Sequence, residues 1–232
     1  MFHTIFYQPI FNLLVFLYNS VPGHDLGVAI LLLTLLIRLI LYPLSKSAIK
    51  SQKELQLIQP EIEALKEKYK DNKEKMGPEL MSLYKERKIN PFASCLPTLI
   101  QLPFLFAIYR VFYDGLTKES SLSALYAFVA NPGSLNTIAF GFIDLAHKNI
   151  LLAVLAGLAQ FWQSRMLLGG QAVNAGGMSA MMNKQMLYFM PVITIFIGSS
   201  LPAGLTMYWL FTTLFSVFQQ YLILGKKNKK TA

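Results

Sequence analysis

Long apolar runs separated by short polar breaks dominate the chain, and one charged stretch interrupts them. The first run, GVAILLLTLLIRLILYPL over residues 27–44, is apolar except at a few positions. Apolar runs of this length are typical of transmembrane helices. Four further runs predict spans over about residues 95–113, 149–168, 186–200 and 203–224. The pattern therefore predicts an all-α polytopic membrane protein with five transmembrane helices, which form a core over residues 27–225.

The last two predicted spans need a tight turn between them. As one continuous helix, residues 186–224 would be about 58 Å long at about 1.5 Å per residue. That length is about twice the roughly 30 Å hydrocarbon core of a bilayer. We therefore expect a hairpin at Leu201-Pro202.

The N-terminal segment, residues 1–22, is apolar and aromatic, but Gln8, Pro9 and Asn12 interrupt it. This composition predicts an amphipathic helix that lies on the outer surface of the membrane. A sixth span is the alternative. Residues 1–37 contain no Lys or Arg, so the basic start of a cleavable signal peptide is missing and we expect none.

The charged stretch, residues 45–90, holds eleven basic and eight acidic residues. Its apolar residues recur at spacings of three and four, which is typical of an amphipathic helix. Asp71-Asn72 and Gly77-Pro78 are turn signals, and Pro60 is expected to start or kink a helix. The stretch therefore predicts two helices folded back as a hairpin, with Asn90-Pro91 ending the second.

Composition and charge indicate the orientation. The chain is 54% hydrophobic and 14% charged, whereas a soluble domain carries about 25% charged residues. Its net charge of +9 lies beside apolar spans, which favours a membrane protein over a nucleic-acid binder. Residues 45–90, Arg165, residues 169–185 and the basic tail 226–232 together hold 17 Lys and Arg residues. The positive-inside rule places that side in the cytoplasm and the N-terminus outside.

Arg38 is the main candidate for chemistry inside the membrane. It lies about 8 Å from the expected cytoplasmic end of the first span, at a depth where an arginine costs roughly 2.5–3.5 kcal/mol to insert. A buried carboxylate would offset that cost, but none of the five predicted spans contains Asp or Glu. We therefore expect Arg38 to be hydrated, or to await a negative charge on another molecule. Snorkelling to the cytoplasmic headgroups is the alternative.

Polar residues on several predicted spans favour the hydrated interpretation. Thr34 lies one helical turn before Arg38 on the same face. The other candidates are Gln101 on the second span, Gln160 and Gln163 on the third, and Trp209 and Thr213 on the fifth. Polar side chains of this kind also join neighbouring membrane helices through hydrogen bonds. Several polar stripes beside one unpaired arginine nevertheless predict a shared polar cavity.

Enzyme activity and proton-coupled transport are not expected. All three histidines lie on the predicted outer side, so no Ser/His pair or metal cluster can assemble within the membrane. Proton-coupled transport usually requires an intramembrane carboxylate or histidine. The sequence predicts no cofactor. A channel or transporter subunit is an alternative function, as is a passive assembly factor that holds partner helices.

Four segments of the chain match one family in consistent order: GVAILLLTLLIRLILYPLS, KSQKELQLIQPEIEALKEKYKDNKEK, INPFASCLPTLIQLPFLFAIYRV and PVITIFIGSSLPAGLTMYWLFTTLFSVFQQ. Through them the chain resembles the YidC/Oxa/Alb family of membrane protein insertases, which has mitochondrial and chloroplast relatives. The resemblance runs from residue 1 to about residue 225. It indicates the minimal form of the family, without a large periplasmic domain.

The resemblance implies a five-span core with a groove open to the cytoplasm and to lipid, but closed on the outside. It places the groove arginine on Arg38 and polar groove positions on Gln163 and Trp209. It further implies an insertase and chaperone of the bacterial cell membrane, whose hairpin receives nascent membrane proteins near the ribosome. The Sec translocon, the signal-recognition pathway and membrane lipids are further expected partners. The basic tail is short, so strong ribosome binding through it is not expected, and neither is specific nucleic-acid recognition.

Overall fold

The structure of the protein is a computed structural model, which describes residues 2–90, 96–115, 124–168, 181 and 184–228. Most of these residues are helical. The α-helices in the described part are α1 (Gln8–Ser20), α2 (Leu26–Ile40), α3 (Tyr42–Leu57), α4 (Gln59–Lys68), α5 (Lys73–Glu86), α6 (Leu96–Arg110), α7 (Ile150–Leu168), α8 (Met190–Ser200) and α9 (Ala203–Asn228). Single π-helical turns extend three of them, at His3–Tyr7 before α1, Val111–Gly115 after α6 and Gln185–Phe189 before α8.

The helix expected for the first span ends earlier than the sequence indicated. α2 stops at Ile40 instead of residue 44, and α3 begins at Tyr42 after a bend of 68°. The bend has a local cause, because Pro43 has no backbone N–H and fits best in the first turn of a helix, where α3 places it. Arg38 consequently lies in the last turn of α2.

Helices are present at the positions expected for the other spans. α7 differs from the predicted third span by one residue, and Leu201-Pro202 separates α8 from α9 as expected. α9 continues to Asn228, past the predicted end at residue 224. The predicted start of the second span at Cys95, residues 169–180 of the predicted link and residues 229–232 of the tail lie outside the described residues.

α1 packs against the protein along one face. Phe11 and Val15 are fully buried, and the helix contacts α2. Asn12 joins α1 to the segment after α6, since its side-chain amide donates to the Ala124 carbonyl at 3.1 Å and accepts from the Tyr126 N–H at 2.6 Å. These contacts fit a helix that lies on the membrane surface and equally one that crosses it. The interfacial position therefore stays a prediction.

A small β-hairpin departs from the all-α prediction. β1 (Ile138–Ala139) pairs antiparallel with β2 (Ile143–Asp144) in the segment between α6 and α7. Asp25 joins this hairpin to the start of α2: one carboxylate oxygen caps the helix by accepting from the Val28 N–H at 3.0 Å, and the other accepts from the Phe140 N–H at 2.6 Å. The fold is therefore mainly helical, with one short β-hairpin at the N-terminal end of α2.

The charged stretch forms three helices, because a helix starts beside Pro60, as expected, and divides the first arm of the hairpin into α3 and α4. α3 and α4 are separated by a break at Ile58, beside Pro60, and Asn72 caps α5 by accepting from the Lys75 N–H at 3.2 Å. The turn predicted at Gly77-Pro78 was wrong, because both residues lie inside α5. α5 buries no residue, so water can hydrate the carbonyl that Pro78 leaves without a donor.

A small apolar cluster and one ion pair hold α4 against α5. Ile58, Ile62 and Ile89 are buried together. Arg87 donates through Nε and Nη2 to the Glu61 carboxylate at 3.0 and 2.8 Å. Both charged side chains are largely exposed, so this pair contributes only about 0.2–1 kcal/mol. The hairpin is therefore held mainly by its isoleucine cluster.

α7, α8 and α9 form the most closely packed part of the bundle. A Cβ atom added at Gly157 of α7 would overlap the side chain of Ile195 and lie 3.0 Å from the carbonyl oxygen of Pro191. Gly198 of α8 approaches Ala153 of α7 in the same way. Small residues at these positions let helix backbones come close, which is the usual way that membrane helices associate.

The outer surface of the bundle is strongly apolar. Ile150 and Leu151 at the start of α7 are 69% and 68% exposed, and Trp162 further along the same helix is 57% exposed. Exposed apolar surface of this extent is typical of contact with lipid or with partner helices. By length and composition, α7 is the one helix of the described part that could cross a membrane alone, and α2 with α3 qualifies only as a bent pair.

We expect Gly157→Val to destabilise the bundle by about 1–3 kcal/mol, because the added methyl groups overpack the contact with Ile195. The matched control is Gly77→Val in α5, where a Cβ atom would meet nothing within 4 Å. Unfolding in detergent, followed by circular dichroism, measures both variants. Equal stability of Gly157→Val and the wild-type protein would show that α7 and α8 are not in close contact.

Candidate functional site

Arg38 lies where α2 meets α9. Its neighbours Leu39 and Ile40 are exposed, whereas Thr34 and Ile37 on the inner side of α2 are buried. The Nε atom of Arg38 is itself buried and has no hydrogen-bond partner among the described residues. None of the ion pairs found in those residues includes Arg38. This enclosure favours a guanidinium directed into the bundle over one that snorkels along the lipid-facing surface.

Tyr208 of α9 is a polar neighbour of Arg38. The tyrosine is almost completely buried, and the two side chains lie near enough to interact electrostatically. Gln101 of α6 donates a hydrogen bond from its side-chain amide to the Tyr208 hydroxyl. Three helices that are distant in sequence, α2, α6 and α9, therefore meet at one polar cluster formed by Arg38, Gln101 and Tyr208.

Tyr208 was missed by the sequence analysis, which selected its neighbour Trp209. Trp209 is half-buried, whereas Tyr208 is the largest fully buried side chain of the described residues. A signal was present in the sequence, because Tyr208, Thr212, Ser216 and Gln220 recur every four residues and so share one face of α9. Thr212, Ser216 and Gln220 on this face are buried together with Tyr208.

The two predicted threonines bond to their own helices. Thr34 is fully buried, and its hydroxyl donates to the Ile30 carbonyl at 2.7 Å. Thr213 is nearly as buried and donates to the Trp209 carbonyl at 2.9 Å. Each hydroxyl oxygen still offers acceptor capacity, but its proton is used locally. Neither threonine therefore supplies a free hydroxyl donor, and the position of Thr213 beside Arg38 stays a prediction.

Gln160 and Gln163 are half-buried on α7. The side chain of neither glutamine makes a hydrogen bond with the part of the chain that the structure describes, Arg38 included. α7 packs against α9, so the two glutamines belong to the same bundle. Of the predicted site residues, the structure joins Arg38 and Gln101 through Tyr208. That the same cavity also contains Gln160, Gln163 and Trp209 stays a prediction.

Further along α9, two buried glutamines have unused hydrogen-bonding capacity. Gln219 and Gln220 are 7% and 3% exposed, and the Oε1 atom of each lacks a partner in the described residues. A buried acceptor without a partner costs about 1–3 kcal/mol. Groups of this kind normally find water or another molecule. These two glutamines therefore favour a hydrated interior toward the end of α9.

This arrangement can attract an anion strongly. A carboxylate about 4 Å from a guanidinium gains only about 1 kcal/mol in bulk water, but about 4 kcal/mol at an effective dielectric constant of about 20. Arg38 forms no ion pair with a carboxylate of the described residues, so no such pair has to break before an anion binds. The site is thus suited to binding a negative charge transiently.

Comparison with known proteins identifies the family. The sequence model of the family described as "60Kd inner membrane protein" matches residues 16–230. The membrane protein insertase YidC of Fusobacterium nucleatum is 35% identical over 222 residues, which cover 95% of this chain and 97% of that relative. The YidC of Rickettsia rickettsii is 34% identical over 225 residues, which cover 93% of this chain and 38% of that longer relative.

A solved structure shows the same fold. The crystal structure of an active YidC insertase with its first transmembrane domain resolved superposes with a TM-score of 0.63 at 27% sequence identity. The match covers 95% of this chain and 46% of the crystallised one. The chain thus spans nearly all of the shorter relative and less than half of the longer ones. On the family match and these identities, the chain belongs to the YidC family of membrane protein insertases.

Proposed function

We propose that this chain inserts hydrophobic segments of client proteins into the bilayer and helps them to fold there. The observation that carries the proposal is the buried Nε atom of Arg38, which has no partner among the described residues, inside a bundle with an apolar surface. The matching relatives are named insertases, which supports the same activity. The proposal applies to the core that this chain shares with the longer relatives.

We place the chain in a bacterial inner membrane, with five spans formed by α2, α6, α7, α8 and α9. The N-terminus would lie outside and the C-terminus in the cytoplasm, because the charged helices α3–α5 and the basic tail then share the cytoplasmic side. α1 would lie on the outer surface. α7, with its exposed apolar residues, supports this architecture most directly.

Two of the proposed spans are short. α2 has 15 residues, which gives about 22 Å at 1.5 Å per residue. α8 with its π-helical turn reaches about 24 Å on the same rise per residue. Both fall short of the roughly 30 Å hydrocarbon core. A bilayer usually thins around short spans, so water and headgroups would come closer to Arg38 at the end of α2.

The proposed mechanism uses this charge to guide a client. An acidic N-terminal or loop segment enters a groove from the cytoplasm, and its carboxylate is attracted to Arg38. Water around the polar face of α9 shortens the apolar distance that the segment still has to cross. The client's hydrophobic helix then partitions sideways into lipid. The membrane potential contributes about 2.3 kcal/mol per charge per 100 mV and favours outward movement of acidic segments.

The charged helices would receive clients at the cytoplasmic surface. One hydrogen bond closes the charged stretch on itself, since Ser51 donates to the Asn90 carbonyl at 3.0 Å. Another ties it to the bundle, since Gln56 donates to the Leu167 carbonyl at the end of α7. Between these ties, α4 and α5 bury little besides their isoleucine cluster. We propose that nascent membrane proteins, the ribosome and the Sec translocon or signal-recognition pathway meet the protein on this exposed hairpin.

Arg38→Ala should slow the insertion of a single-span client with an acidic N-terminal tail by at least about fivefold, since even the roughly 1 kcal/mol that such a contact gains in bulk water changes a rate by that factor. Arg38→Lys should retain most of the activity. The measurement is insertion into liposomes that contain only the purified protein, with protease protection of the client tail as readout.

Arg165→Ala is the matched control for that experiment, because it removes the same charge from an exposed position at the end of α7. A second control is the same client with its acidic residues changed to amides, which should respond equally to the wild-type protein and to Arg38→Ala. Unimpaired insertion of the acidic client by Arg38→Ala would refute the electrostatic step.

Tyr208→Phe should weaken the contact between α6 and α9, because the hydroxyl that accepts from Gln101 is lost. Hydrogen bonds between membrane helices average about 0.6 kcal/mol and reach about 1.7 kcal/mol. A double-mutant cycle with Gln101→Leu, measured by unfolding in bicelles, should give a coupling energy in that range. Strict additivity of the two substitutions would show that the bond does not stabilise the folded protein.

A further inference from the structure

A cavity of about 570 Å³ lies at the end of the bundle opposite the Arg38 cluster. It is located where α6 ends, α7 begins and α8 turns into α9, and its walls include Tyr109, Tyr113, His147, Lys148 and Pro202. Binding sites for small ligands typically measure about 300–1,000 Å³. The cavity is thus large enough for a phosphate-containing headgroup, and nothing in the proposed insertion mechanism uses it.

The loop that forms one wall of the cavity is held in place by hydrogen bonds. The Ala203 N–H donates to the His147 carbonyl at 2.8 Å, and the Gly204 N–H donates to the Leu145 carbonyl at 3.0 Å. These bonds fix the loop before α7 against the first turn of α9. The wall is therefore present before any ligand arrives.

Among the residues that line the cavity, Lys148 carries a charge that is not engaged by the described part of the chain. The Ala146 N–H and the His147 side chain hold the pKa of Asp144 below its usual value, and the Asp144 carboxylate lies 2.6 Å from His147 Nδ1. The carboxylate is thus engaged with its own loop. Lys148 is exposed and makes no ion pair or hydrogen bond with the described residues. An ammonium group at the mouth of a cavity is a common partner of phosphate.

Two apolar tracks lead away from the cavity along the outside of the bundle. Tyr109 and Tyr113 stack with ring centroids 5.6 Å apart, and Phe106, 58% exposed, lies on the same face of α6. Phe196, 74% exposed, lies one turn before Ser200 on α8. Tyrosine rings at the end of a membrane helix typically lie at the level of the lipid headgroups. The two exposed phenylalanines would then lie at the level of the acyl chains of the same leaflet.

We propose that this cavity binds the headgroup of an anionic phospholipid, with the phosphate near Lys148 and the acyl chains along Phe106 and Phe196. The inference goes beyond the proposed function, since it requires only that this end of the bundle lies at a membrane boundary. It assigns a defined lipid site to the side of the protein that faces away from the Arg38 cluster.

The test is photocrosslinking in vesicles that hold the full chain, with a phosphatidylglycerol that carries a photoactivatable group near its phosphate. Crosslinked peptides are mapped by mass spectrometry. Labelling should concentrate at residues 109–113, 146–148 and 200–202, and Lys148→Gln should reduce it about fivefold. Lys75→Gln, which removes an equally exposed charge from α5, should leave the labelling unchanged.

Two further measurements distinguish binding of an anionic lipid from binding of any phospholipid or of free phosphate. The same probe with a phosphatidylcholine headgroup should label these peptides much less in the wild-type protein, a comparison that needs no variant. Inorganic phosphate at physiological concentration should not compete. Equal labelling by both lipids, full competition by inorganic phosphate, or undiminished labelling of Lys148→Gln would each overturn the proposal. Client insertion by Lys148→Gln reports separately on the proposed function.

Discussion

The rest of the bundle depends on one electrostatic constraint, which is that the guanidinium of Arg38 must be tolerated among apolar helices. An arginine within a span costs roughly 2.5–3.5 kcal/mol, and no carboxylate of the described residues offsets that cost. The compensation comes from neutral polar groups instead. Tyr208 and Gln101 provide dipoles from two other helices. A neutral environment of this kind makes the charge tolerable without neutralising it, so the charge stays available to an anion.

Much of this arrangement could be predicted from the sequence, because long apolar runs identify helices and the lack of acidic residues in them singles out Arg38. The parts that could not be predicted depend on local geometry. Pro43 permits either the end of one helix or the start of the next, and only the bend at Ile40 decides between them. Gly77-Pro78 resembles a turn, yet a solvated helix tolerates it. Tyr208 and Trp209 are adjacent, and tertiary packing alone determines which of them is buried.

α9 carries polar residues with two different roles, and this explains why its composition is less apolar than that of α7. Near its start the Thr206 hydroxyl donates to the Gly198 carbonyl at 3.0 Å, which satisfies a polar group inside the close contact with α8. Further along the helix Gln219 and Gln220 keep buried oxygens without partners in the described residues. The same helix therefore locks part of the bundle and lines its polar interior. A purely apolar helix would pack as well, but it would remove Tyr208 from the polar cluster around Arg38.

The two ends of the bundle differ in how their backbone and polar groups are satisfied. At the N-terminal end of α2, hydrogen bonds close the structure: Asp25 holds Phe140, the Tyr18 hydroxyl accepts from the Asn136 N–H at 2.9 Å, and His147 accepts from Ala203. Toward the end of α9, buried polar atoms keep unused capacity. A channel needs a polar path through both ends, whereas an insertase needs access from one side and a seal on the other. The asymmetry of hydrogen bonding along the bundle favours insertion over conduction.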